Sequence, residues 1–220
     1  MRTIQILALS SSIAALGLSC TGQPGERALT TFGNAVQAGD ETTAAQVSLV
    51  EFPGEVSTWE IIEIGPESSE PFPLIKLIEE RKAMEKELEA MVETTNAFLQ
   101  ENEELFYKYK PRKDKDPETK FTGKLKEFDE EFSALMKEQT DQDDKIRDAG
   151  KAIDALKKAA ALSTNTPGLS TSYDGDVLER TAKVKFDDKD YSVTLKLYAL
   201  VNTEHNMTPM TRWIITDIRE

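Results

Sequence analysis

The side chains that could do chemistry are few and scattered. The 220-residue chain has one histidine and one cysteine. His205 lies in the polar loop Asn202-Thr203-Glu204-His205-Asn206, and no serine or cysteine stands at a spacing that would pair a nucleophile with it. A single histidine and a single cysteine cannot supply the nitrogen and sulfur ligands of a zinc site. Asp174-Gly175-Asp176 offers two carboxylates, fewer than a calcium loop needs, and reads as a turn. No glycine-rich loop that would cradle phosphate occurs. The expectation is a non-enzymatic protein, with no catalytic residue, no metal and no cofactor.

Two features suit binding instead. Trp59 and Trp213 stand in similar apolar strand settings and could line an apolar pocket or simply fill a core. Between Tyr107 and Lys126 the chain carries eight basic side chains against Asp114, Asp116 and Glu118, although its net charge is −13. Phe106, Tyr107, Tyr109 and Phe121 are interleaved with the lysines. A basic, aromatic segment suits phosphate headgroups or an acidic partner, and Lys110, Arg112, Lys113 and Lys115 are its candidate contacts. Flanking acids such as Glu103, Glu104, Asp129 and Glu130 could equally balance the charge locally. The acidic balance of the whole chain argues against nonspecific nucleic-acid binding.

The N-terminus gives an address. Arg2 is followed by the apolar run Ile4-Gln5-Ile6-Leu7-Ala8-Leu9, and a Ser/Ala/Leu-rich stretch ends at Cys20. This is the plan of a secretory signal, too short to span a bilayer. Leu16-Gly17-Leu18-Ser19-Cys20 resembles the lipobox of bacterial lipoproteins, with Gly17 where a branched apolar residue is usual. The resemblance implies export and lipidation of Cys20. Several acyl chains there would hold the protein on a membrane where one would bind only marginally. The expected location is outside the cytoplasm, lipid-anchored and facing the periplasm. A lone cysteine rules out an intrachain disulfide, so stability must come from packing.

The elements that must carry these residues follow from periodicity. Ala28, Leu29, Phe32, Ala35 and Val36 share a helical face, Gly39 offers a C-cap, and Asp40 caps a second helix expected to run to Leu49. Val56 to Ile64 reads as a strand, and Pro66, Pro71 and Pro73 bracket an expected linker. Beyond it the period is seven. Leu77, Met84, Met91, Phe98 and Leu105 form one seam, interrupted by Arg81, Thr95 and Asn102, and Pro111 and Pro117 are expected to end it. Phe121, Phe128, Leu135, Ala149 and Leu156, with Leu125, Phe132, Ile146 and Ile153, form a second seam interrupted by Gln139 and Gln142. Antiparallel pairing with residue numbers summing to about 230 matches the seams. It sets Met91 against Gln139 and Phe98 against Phe132, in a rod roughly 55–60 Å long. A turn-rich loop to Asp176 precedes three strands, around Ala182–Phe186, Tyr191–Val201 and Thr211–Ile218, the first two joined at Asp187-Asp188.

Phe32-x-x-Ala35-x-x-x-Gly39-Asp40 and Arg212-Trp213-Ile214-Ile215-x-Asp217-Ile218 resemble the nuclear transport factor 2-like (cystatin-like α+β) fold over residues 26–65 and 176–220. That resemblance implies an α+β fold: a curved antiparallel sheet with N-terminal helices, here carrying a long inserted antiparallel coiled-coil hairpin. The expected divisions are a signal peptide over 1–19, a lipid-anchored spacer over 20–25, an α+β domain over 26–65 and 168–220, and the hairpin insertion over 74–163. The expected function is an envelope lipoprotein that acts as a spacer or docking arm for a protein partner in the envelope. The alternative is a carrier of a small apolar ligand.

Overall fold

The computed structural model describes residues 22–52 and 54–220. Cys20 and the expected signal peptide lie outside them. Helix α1 (Glu26–Ala38) and the short α2 (Glu41–Ala45) precede strands β1 (Trp59–Ile64) and β2 (Ser68–Pro71). Three helices follow, α3 (Leu74–Glu101), α4 (Glu103–Lys115) and α5 (Lys124–Thr164). The chain closes with β3 (Tyr173–Phe186), β4 (Lys189–Asn202) and β5 (Ile214–Arg219). The fold is α+β, with a five-stranded antiparallel open sheet in which β1 and β2 both pair with β3, β3 with β4, and β4 with β5.

Helix α1 ends at Gly39 because the chain turns there with φ 68°, a conformation glycine adopts without strain. The Gly39 and Asp40 amides then donate to the Val36 and Ala35 carbonyls. Asp40 caps α2 by accepting from the Thr43 amide at 3.0 Å and its hydroxyl at 2.6 Å. These bonds hold the Asp40 carboxyl below its ordinary pKa, the Thr43 side-chain bond foremost. The second helix stops at Ala45 rather than Leu49 because Val47 and Leu49 are taken by the sheet. The Ile215 amide donates to Val47, and the Leu49 amide donates to Ile215.

The segment expected as a linker is strand β2. Its composition, Ser-Ser-Glu-Pro, has little β propensity, so pairing with β3 forms it, from Ser68 against Glu179 to Pro71 against Asp176. Proline is tolerated because β2 has a neighbour on one side only. β1 and β2 are successive stretches of the same sheet edge, joined through Gly65. A Cβ on Gly65 would stand 2.9 Å from the Thr181 carbonyl oxygen, so the close approach there needs glycine.

Strands β3 and β4 each have 14 residues and pair without a break. The period-two rule sends alternate residues to opposite faces, and both faces are covered. Ala182, Val184, Phe186, Val193 and Leu195 pack against Ala28, Leu29 and Phe32 of α1. Farther along the same strands, Val177, Tyr198 and Leu200 pack against Leu74 of α3 and Ile153, Ala159 and Ala160 of α5. The adjacent residues Ile214 and Ile215 enter the second and first of these cores respectively, so the α1 layer and the α3–α5 layer lie on opposite faces. Ser163 ties α5 to the sheet where β4 and β5 part. Its hydroxyl donates to the Arg212 carbonyl at 2.7 Å and accepts from the Tyr198 amide at 3.1 Å.

Helices α3 and α5 lie alongside one another beyond the sheet. Gln139 donates to the Met91 carbonyl at 3.2 Å and to the Thr95 hydroxyl. Gln142 donates to the Met84 carbonyl at 3.2 Å and to Glu87 at 2.9 Å. Residue numbers fall on one helix as they rise on the other, so the pair runs antiparallel. The helical path breaks at Asn102, where both the backbone and side-chain nitrogens donate to the Phe98 carbonyl. Pro111 does not end the next helix as expected; α4 continues to Lys115. The proline removes one donor, that to the carbonyl of Tyr107, a residue 69% exposed overall.

Candidate functional site

Among the described residues, two places have the form of a site: the end of the helix pair remote from the sheet, and a cleft beside α1 and α2.

The remote end is an aromatic knot. Tyr109, Phe121 and Phe128 are buried there among Phe98, Leu99, Leu105, Phe106, Leu125 and Phe132. Phe128 stacks on Phe98 at 5.3 Å and on Phe132 at 5.7 Å, with Tyr109 edge-on to both Phe128 and Phe132. Aromatic pairs in these orientations add about 0.5–1.5 kcal/mol beyond their burial. The break at Asn102 lets α4 fold its aromatic residues over α5. Burial raises the Tyr109 phenol above its ordinary pKa, and the neighbouring Asp129 raises it further.

The basic residues surround this knot and divide into two groups. Lys110 is held by Asp114 at 2.6 Å. Lys113 lies 3.5 Å from Asp129 and 6.0 Å from the centre of the Phe121 ring, and Lys126 pairs with Glu130. These charges are balanced in place. Arg112 and Lys115 are exposed and make no ion pair among the described residues, and the same holds for Lys108, Lys120 and Lys124. Of the four expected contacts, Arg112 and Lys115 are therefore the ones with free charge. Arg112, Lys113 and Lys115 also occupy the last turn of α4, where positive charge complements the helix dipole. The chain reverses after them through Asp116, whose side chain accepts from the Glu118 amide and whose carbonyl accepts from Thr119.

The cleft has a volume of about 1070 Å³. Its apolar wall comes from Ala35, Val36, Ala44, Leu49, Val50, Phe52 and Val56, with Leu162 from α5. Asp40, Glu41, Glu51 and Glu55 stand along it, and Lys158 faces it from α5. Nothing in the sequence pattern marked this place. It arises where the α1–α2 corner and the loop after Ser48 meet the foot of α5, a meeting fixed by the sheet register.

The two tryptophans are elsewhere. The Trp59 ring lies on Gly33, where an added Cβ would come within 2.3 Å of it, and its indole N–H donates to Asn34 at 3.2 Å. Trp213 has the Arg180 guanidinium over its ring at 5.8 Å. Both pack on the first core, and neither lines the cleft. His205 is exposed, with its backbone amide bound to the Asn202 side chain at 3.0 Å. Asp174 and Asp176 are exposed on β3 rather than in a loop. Among the described residues, no cluster of three or more histidine, cysteine or acidic side chains is arranged to hold a metal ion, and no helix is long and apolar enough to cross a membrane. Compared with known proteins, the chain matches no family model, no curated protein and no solved structure.

Proposed function

We propose that this protein is an exported lipoprotein, anchored through Cys20, whose α3–α5 pair is an antiparallel coiled-coil arm that presents the aromatic and basic tip to an envelope partner. In this reading the sheet with α1 and α2 is a nuclear transport factor 2-like base. The supporting observation is the division of labour along α5. Only its last turns, from Ile153, join the sheet's core, whereas its first part packs against α3 and α4 and ends in the knot. A helix of 41 residues is about 62 Å long at 1.5 Å per residue. Such a length buries little for the fold itself and is explained by reach. Arg112 and Lys115, with Lys108, Lys120 and Lys124, supply the unbalanced positive charge at the tip, and an anionic surface on the partner is its natural complement.

Two variants test the proposal. Cys20→Ala should move the protein from the membrane to the soluble fraction; membrane retention with no lipid on the mature N-terminus would refute the anchor. Deleting residues 78–91 together with 139–152 removes two heptads from each helix and keeps the pairing register. The arm should then be about 21 Å shorter, still anchored and folded, and unable to support the cellular role of the full chain. Full complementation by the shortened protein would refute the arm.

A further inference from the structure

The cleft lies on the base and plays no part in the arm. Its electrostatics are one-sided at the α1–α2 corner. Helix α1 ends there, and Gln37, Ala38 and Gly39, at the negative end of its dipole, line the cleft. The Ala35 and Val36 carbonyls are taken by the Asp40 and Gly39 amides, whereas among the described residues no backbone amide beyond the helix reaches the carbonyls of Gln37 and Ala38, which leaves two acceptors at the rim. Glu41, Glu51 and Glu55 add carboxylates with no ion pair among the described residues, and Asp40 stays ionised through its bonds to Thr43. Lys158, on α5, is the one cation along the cleft among the described residues. The floor between these groups is apolar, with Ala35 and Val56 buried and Val36, Leu49, Val50 and Phe52 half-buried. A volume of about 1070 Å³ accepts a small organic molecule of drug-like size or somewhat larger.

We propose that this cleft binds a small amphiphilic cation, its apolar body on the Val36–Val50–Phe52 floor and its ammonium group at the α1 C-terminus among Glu41, Glu51 and Glu55. An uncharged apolar ligand would leave the rim carbonyls without a donor, and an anion would meet the helix dipole and the carboxylates with the wrong sign. The site is independent of the docking arm, so either proposal can fail alone.

The test is calorimetric titration of the full chain, carrying Cys20→Ser to avoid the lipid, with decylamine, decanol and decanoate below their aggregation concentrations. Decylamine should bind at least about tenfold more tightly than decanoate, with decanol between them, and added salt should narrow the gap. Glu51→Gln with Glu55→Gln alters two exposed side chains and should weaken decylamine about tenfold while leaving decanol unchanged. Ala44→Phe should block all three ligands. Equal binding of amine and carboxylate, no binding of the amine, or amine binding indifferent to the paired glutamine substitution would each overturn the proposal.

Discussion

The foot of α5 and its middle differ in the contacts that dominate them. At the foot, Ile153 and Ala160 meet Leu74, Leu200 and Ile214, and the last four of these are fully buried. In the middle, buried polar groups stand beside the apolar Ile146. Gln142 is 2% exposed and Thr95 5% exposed, and each is satisfied by a carbonyl or side chain of the facing or same helix. Apolar burial stabilises without regard to direction, so the foot fixes the helix pair to the sheet. A buried amide is tolerated only where its partner stands. The Thr95–Gln139 and Gln142–Met84 layers therefore select one register over slips of a turn or a heptad, as polar residues do within apolar helix seams. The two regions weight stability and specificity differently along the helix pair.

The largest effect should come from the foot. Leu200→Ala removes a fully buried side chain from the second core and should cost about 3–5 kcal/mol in urea unfolding of the whole chain. At the far end, Phe128→Ala should also cost about 3 kcal/mol, but locally. Amide exchange should accelerate across α4 and the start of α5 while β3 and β4 keep their protection; equal acceleration in the sheet would erase the distinction between the two regions. Ser163→Ala strands the buried Tyr198 amide and should cost about 1–3 kcal/mol, more than an ordinary exposed serine. The smallest change in stability should follow Gln139→Leu. It should be neutral or stabilising by up to about 1 kcal/mol, yet cysteines at Phe98 and Phe132 should then form a disulfide within the chain less efficiently than in the parent. Unchanged trapping would remove the register role from the polar layer.

How much of this was legible in the residues depended on whether local pattern or distant pairing decided the outcome. The facing of α1, the Gly39 stop and the Asp40 cap are written in spacings of three and four and in cap chemistry. So is the alternation of β4 from Tyr191 to Val201. The sevenfold spacing set Met91 against Gln139, and the Gln139 side chain does donate to the Met91 carbonyl; it also set Phe98 against Phe132, whereas Phe98 stacks on Phe128. The strand Ser68–Pro71 could not be read, because its four residues carry no β signal and depend on β3 more than a hundred residues later. Pro111 was misleading because a proline removes only one helical donor, and α4 continues past it to Lys115. The balance of Lys110 by Asp114 was visible at spacing i to i+4, whereas that of Lys113 by Asp129 required the α4–α5 packing. The cleft left no mark in the pattern because its walls come from four separate segments.

The proposed docking arm is tested most directly in intact cells. A photoreactive residue in place of Tyr107, exposed beside the knot, should form one discrete crosslinked product. The same probe in place of Ile75, exposed at the foot, should not form it, and Arg112→Gln with Lys115→Gln should remove the Tyr107 product without unfolding the protein. The same product from both positions, or a Tyr107 product unaffected by loss of the two free charges, would contradict the account.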